Sequence, residues 1–199
     1  VASGAPKPDV VIPIPDSARD SALSMAHALD VSYREGFVKN RYIGRTFIMP
    51  NNEARKKSIH RKLNPIPLEF EGKDVLLVDD SIVRGNTSGR IIEAARAAGA
   101  RNVYFATTSP PLVAVCPYGI DMATQKDFVA QGRSVDEVRQ AIGADHLVYL
   151  ELDRMVDCAR VGNPEIKGFC TGCFTGEYPT ADAVEHIDAL SAERASARD

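Results

Sequence analysis

The chain has 199 residues, 44% of them apolar and 26% charged, the composition of an ordinary globular protein with one good core and no case for disorder. Lysine and arginine total 24 against 27 for aspartate and glutamate, a formal charge of -3, which excludes a global attraction to nucleic acid or to an anionic membrane and makes any anion site local. No apolar run approaches the roughly 18 to 20 residues needed to span a bilayer, and the opening VASGAPKPD lacks the charged and apolar regions of a secretion signal. A cytoplasmic protein is expected, with neither nucleic acid nor membrane as a partner.

In chain order, apolar runs alternate with helical patterns, which predicts parallel strands joined by helices. The first residue is Val1 instead of Met, directly ahead of a strand-like segment, so a processed product or a piece of something longer is expected. DVVIPIP reads as a first strand, and SARDSALSMAHAL as a helix with Ala22, Leu23, Met25, Ala26 and Leu29 on its inner face. PDSAR is the turn between them. Next comes FVKNRYIGRTFIMPNNEARKKSIHRKL, which carries Lys39, Arg41, Arg45, Arg55, Lys56, Lys57, Arg61 and Lys62 against one acid, Glu53. Its interleaved aromatic and aliphatic residues suit a segment that orders over an anionic ligand, with a solvated charged surface as the plain alternative. VLLVDD is then a buried strand, SGRIIEAARAAGA a helix ended by Gly99, RNVYFATTSPP a strand stopped by prolines, and HLVYLEL a fourth strand. The last stretch, TADAVEHIDALSAERASARD, reads as a polar helix fraying into a tail.

The chemistry concentrates in VLLVDDSIVRGNTSG, Val75 to Gly89. An apolar run stops at two adjacent carboxylates, and a loop of small and hydroxyl residues leads into a helix. A phosphate is favoured at a helix N-terminus, where free N–H groups converge and the dipole adds about 0.3 to 1 kcal/mol. Gly85 permits close backbone approach, and Ser81, Thr87 and Ser88 add hydroxyls. The loop is neither a Walker loop nor a GxGxxG turn. Two carboxylates cannot grip phosphate, but they accept hydrogen bonds from vicinal sugar hydroxyls or help position a magnesium ion. A ribose 5-phosphate suits both halves. Capping of the next helix, the structural alternative, needs one such residue and not the whole set.

These residues resemble the phosphoribosyl diphosphate fingerprint of the type I phosphoribosyltransferases. VVIPIPDSA, GFVKNRYIGRTFIMP, RKKSIHRKLN, CPYGIDM and CFTGEYPT narrow the resemblance to the amidophosphoribosyltransferase family, over about residues 8 to 180. The resemblance implies an α/β chain with the type I phosphoribosyltransferase fold, an open, mainly parallel sheet flanked by helices, with a mostly helical C-terminal extension. It further implies a core over residues 1–111 with a flexible basic loop at 37–62, and residues 112–199 as the C-terminal part of the same domain. The implied reaction is phosphoribosyl diphosphate plus ammonia giving phosphoribosylamine and diphosphate. The family's N-terminal glutaminase domain has no counterpart in these residues, so glutamine use would require it as a partner. Purine nucleotides as inhibitors and assembly as a homo-oligomer are also expected.

Residue by residue, the resemblance implies ribose and magnesium contacts for Asp79 and Asp80. The phosphate loop would be Ser81, Val83, Arg84, Gly85, Asn86, Thr87 and Ser88. Asp16 and Ser17 fall at the diphosphate loop, with Ser17 completing the magnesium site, and Lys39, Arg41 and Arg45 lie in the loop that closes over diphosphate. A non-catalytic module that senses phosphoribosyl diphosphate or purine nucleotides is the alternative from another class. An intact diphosphate loop and basic tract favour the enzyme, and the tract GFVKNRYIGRTFIMP disfavours a transferase acting on a nucleobase.

The four cysteines, Cys116, Cys158, Cys170 and Cys173, belong to a chain too large to depend on disulfides, so metal ligation or burial is the better expectation. A lone CxxC, Cys170 to Cys173, suits a metal, a redox pair or a structural role. Here the family resemblance implies a four-iron four-sulfur cluster on Cys116, Cys170 and Cys173, with its fourth ligand upstream of this chain. Cys158 sits in LDRMVDCARV, whose helical spacing predicts a buried small apolar residue. His27, His60, His146 and His186 show no metal-binding spacing.

Overall fold

The computed structural model describes residues 4–40, 63–120, 127–183 and 185–187. Strands β1 (Val10–Pro13), β5 (Asp74–Asp79) and β6 (Asn102–Thr107) are near-continuous apolar runs because both faces of their sheet are covered. Two-residue β2 (Ser32–Tyr33) and three-residue β7 (His146–Val148) flank them, giving the order β2-β1-β5-β6-β7 with every pair parallel. A separate antiparallel pair joins β3 (Phe37–Lys39) to β4 (Leu63–Pro65), followed by the single turn α2 (Pro67–Phe70).

Helices cover the sheet on both sides, as a parallel sheet requires. On one side α1 (Arg19–Leu29) sets Ala22 and Ala26 against Val11, Leu76, Val78 and Ala106. On the other, α3 (Asn86–Ala97) and α4 (Val135–Ile142) pack Ile91, Ile92, Val138 and Ile142 against Val75, Leu77 and Phe105. Two further helices, α5 (Leu152–Arg160) and α6 (Gly172–Thr175), belong to the extension expected after the sheet. The strand order reverses between β1 and β5: the chain leaves β1 for β2 on one side and returns to β5 on the other. Crevices for ligands open at such points, beyond the carboxyl ends of the strands.

Three sequence expectations need correction, and one helix lies outside them. Leu23 is 41% exposed, because α1 approaches the sheet along a narrow alanine stripe at Ala18, Ala22 and Ala26, and Leu23 lies off that stripe. HLVYLEL is a strand only as far as Val148; Leu152 already opens α5. Helix α4 lies outside the expected elements, although Ser134 and Glu137 form a capping box, with Ser134 N–H donating to Glu137 Oε2 at 2.7 Å and Glu137 N–H to Ser134 Oγ at 3.3 Å. Cys158 is exposed; α5 buries no residue fully, so helical spacing there marks a helix lying on the surface. Most of the expected C-terminal tail, and Arg41, Arg45 and His60, lie outside the described residues.

Candidate functional site

Strand β5 ends by delivering two carboxylates to the switch point in different surroundings. Asp79 completes the ladder with β6, and Thr108 N–H donates to its carbonyl at 3.1 Å. Its side chain is largely buried and accepts from Asp80 N–H at 2.9 Å. Burial, reinforced by the neighbouring Asp80 charge, pushes its pKa up to about 7. Asp80 is exposed, and both of its carboxylate oxygens take hydroxyl donors: Ser17 Oγ at 2.7 Å and Ser81 Oγ at 3.2 Å. Ser17 is 63 residues away in sequence, so the turns after β1 and β5 do meet.

The same β1 turn carries Asp16, whose peptide bond to Pro15 is cis. Lys39, at the end of β3, donates to Asp16 Oδ2 at 2.7 Å, and Arg19 bridges Asp16 at 3.5 Å and Glu35 at 3.2 Å. The first residue of the basic tract to carry charge is thus already seated on the diphosphate-loop candidate.

Beyond Asp80 the chain turns through Ser81 to Arg84 into α3. Gly85 is its N-cap at φ 75°, a left-handed conformation natural to glycine, and no side chain caps the helix. Helix geometry leaves the N–H groups of Asn86, Thr87 and Ser88 without intrahelical acceptors; the Gly89 N–H already bonds the Gly85 carbonyl at 2.8 Å. Ser88 is buried, while Asn86 and Thr87 are exposed. Of the loop residues, Arg84 is ion-paired, its guanidinium 3.1 Å from Asp127. What remains is an uncapped, electropositive helix terminus one turn from a pair of acids.

The cysteines form a second group. Cys116 and Cys173 are half-buried and Cys170 is exposed. The Cys173 carbonyl accepts from Val113 N–H at 3.0 Å and Ala114 N–H at 3.1 Å, drawing α6 onto the segment that carries Cys116. Burial, then the nearby Cys116 and Cys170, push the Cys173 thiol up. Among the described residues, no three His, Cys, Asp or Glu side chains are arranged to hold a metal ion. A cavity of about 590 Å³ lined by Lys7, Pro8, Asp9, Asp30, Val31 and Ser32 opens at the opposite, amino-terminal edge of the sheet. Asp9 there already accepts from Asp74 N–H and the Arg101 guanidinium.

The sequence is 49% identical over 187 residues to the amidophosphoribosyltransferase of Haemophilus influenzae, covering 94% of this chain and 37% of that protein. It is 54% identical over 177 residues to the Pseudomonas aeruginosa amidophosphoribosyltransferase, covering 89% and 35%. The chain belongs to the amidophosphoribosyltransferase family. It spans little more than a third of the length of these curated relatives and corresponds to their phosphoribosyltransferase region. The fold agrees with the Bacillus subtilis glutamine phosphoribosylpyrophosphate amidotransferase complexed with ADP and GMP, at a TM-score of 0.78 and 43% identity over 90% of this chain and 40% of that one. A scan against models of protein families returned no match.

Within this amidophosphoribosyltransferase region, the supports behind the loop carry no signature in the sequence. Asp127 and Val129 reach it from more than 40 residues downstream, by contacts that neither periodicity nor motif could signal. Among the described residues, no helix is long and apolar enough to cross a membrane.

Proposed function

We propose that the chain transfers the phosphoribosyl group of phosphoribosyl diphosphate to ammonia, giving 5-phosphoribosylamine and diphosphate, the first step of de novo purine synthesis. The observation that carries this reading is an acid pair one turn from an uncapped helix N-terminus at a sheet switch point. Acceptors for vicinal hydroxyls and N–H donors for a phosphate then belong to one strand, loop and helix. Family membership supports it.

Asp79 and Asp80 take the ribose hydroxyls, and the Ser81 to Ser88 segment wraps the 5-phosphate with the N–H groups of Asn86, Thr87 and Ser88. Asp16 and Ser17 flank the diphosphate, with Lys39, Arg41 and Arg45 closing over it. As the bond from the anomeric carbon to diphosphate breaks, its electron pair leaves with diphosphate and the sugar becomes oxocarbenium-like. The ammonia lone pair forms the new carbon–nitrogen bond, and the ammonium so formed gives up one proton to solvent. Cationic side chains stabilise the departing charge more in the transition state than in the ground state, and neutral ammonia needs little help from a general base.

Magnesium fits the acid pair, because the donors of Ser17, Asp79 and Asp80 are all oxygens and the ionisation penalty on Asp79 is one that a divalent cation relieves. When bound, it supplies charge neutralisation at the diphosphate. Cys116, Cys170 and Cys173 have the thiolate chemistry of a four-iron four-sulfur cluster and would supply three of its usual four ligands. Glutamine use requires the glutaminase part of the longer protein. Purine nucleotides inhibit, consistent with a relative whose structure holds ADP and GMP, and the protein works as a cytoplasmic homo-oligomer.

Incubation with ammonia, magnesium and phosphoribosyl diphosphate tests the proposal. Diphosphate release above a no-ammonia control is expected; binding without release would favour a sensing module.

A further inference from the structure

Three consecutive residues of the phosphate-loop candidate are held by one distant segment. The Val83 carbonyl accepts from Val129 N–H at 2.9 Å. The Arg84 guanidinium pairs with Asp127 at 3.1 Å. Gly85 lies so close to Val129 that a Cβ added there would meet its Cγ2 at 3.2 Å, with Ile142 Cγ2 of α4 at the same distance. Between the two contact residues, Phe128 is 2% exposed and packs with Leu112 and Val115, in a cluster that Val83 also joins. The holding segment is therefore anchored in its own core.

We infer that Arg84 is a positioning residue and not a phosphate ligand: paired with Asp127, it fixes the loop so that the first-turn N–H groups of α3 converge on one point. This rests on the ribose 5-phosphate reading above. The physical reason is that N–H donors at a helix terminus favour an anion only when already aimed, since ordering them during binding subtracts from affinity. A backbone hydrogen bond sets the height of the loop at Val83, and the contact at Gly85 sets its depth. The ion pair between those two stops the loop rotating about them. Both partners are over a third exposed, so direct Coulomb attraction is modest and the role is geometric. Asp127 also offsets a positive charge that would otherwise compete with the helix terminus for the ligand.

Titration calorimetry of the full chain with ribose 5-phosphate tests this. Arg84→Gln and Asp127→Asn are each expected to weaken binding by about threefold to tenfold. The double variant should be no weaker than the worse single variant, and Asp127→Glu should restore binding. Without ligand, Asp127→Asn should raise amide hydrogen exchange at Val129 and Gly89, whose N–H groups bond the Val83 and Gly85 carbonyls. A large loss in Arg84→Gln with Asp127→Asn unchanged or tighter would put Arg84 on the phosphate itself, overturning the inference while keeping the substrate reading. Unchanged exchange in Asp127→Asn would also overturn it. If the unaltered chain bound no ribose 5-phosphate while exchange still rose, the substrate reading would fall and the positioning contact would stand.

Discussion

The carboxyl edge of β5 and the cysteine region differ in how far the chain alone completes them. At the β5 edge the fold itself sets the polar groups in place: Asp80 takes Ser17 and Ser81, Asp79 takes the Asp80 N–H, and Gly85 opens an uncapped helix whose first N–H groups have no intrahelical acceptor. In the cysteine region Cys116 and Cys170 bear electrostatically on Cys173, but among the described residues no metal-holding group is formed. A site made by strand ends and helix termini is fixed by the same hydrogen bonds that build the sheet. One made of side chains on loops depends on what binds it. The two regions touch, since Val83 of the phosphate loop packs in the same small cluster as Cys173 and Phe174.

The comparison breaks most directly at Asp80. Asp80→Asn should lower ammonia-dependent diphosphate release by about a hundredfold or more, whereas Cys170→Ser should leave far more activity; the reverse ranking in a steady-state assay would undo the contrast. Next in size is pH. The folded-state pKa of Asp79 is raised from 3.8 to about 7, so the folded state binds more protons than the unfolded one between those values. The stability this contributes is present in full below about pH 4 and is lost as pH rises towards 7, by on the order of a few kcal/mol. Urea titrations from pH 4 to 8 should show that fall, flattened in Asp79→Asn and reduced by magnesium. Gly85→Ala forces φ 75° on a side chain that also meets Val129 and Ile142 at 3.2 Å; a cost of about 1 to 3 kcal/mol is expected in chemical denaturation. The smallest effect is at exposed Cys158, where Ser should change stability by no more than about 0.5 kcal/mol and leave iron and sulfide content after anaerobic preparation unaltered.

Where sequence reading worked, one residue pattern answered to one physical demand. Runs buried on both faces announced β1, β5 and β6, and the two acids followed by Gly85 marked a strand end beside a helix start. Where it failed, the demand came from elsewhere in the chain. Leu23 and Cys158 have helical spacing on helices whose buried stripes are narrow or absent, which periodicity cannot distinguish from a full inner face. Two- and three-residue strands such as β2 and β3 are too short to show alternation. Asp127 and Val129 gained their importance from tertiary contact alone. Helix α4 is different, because its Ser134–Glu137 capping signal stands in the sequence itself.

The central claim is that Asp79 and Asp80 receive a ribose whose phosphate sits on the first turn of α3. Calorimetric titration of phosphoribosyl diphosphate with magnesium into the unaltered chain and into the Asp79→Asn, Asp80→Asn double variant tests it directly. One site per chain, weakened about tenfold or more by the double substitution, is the predicted result; equal affinity in the two proteins would contradict it.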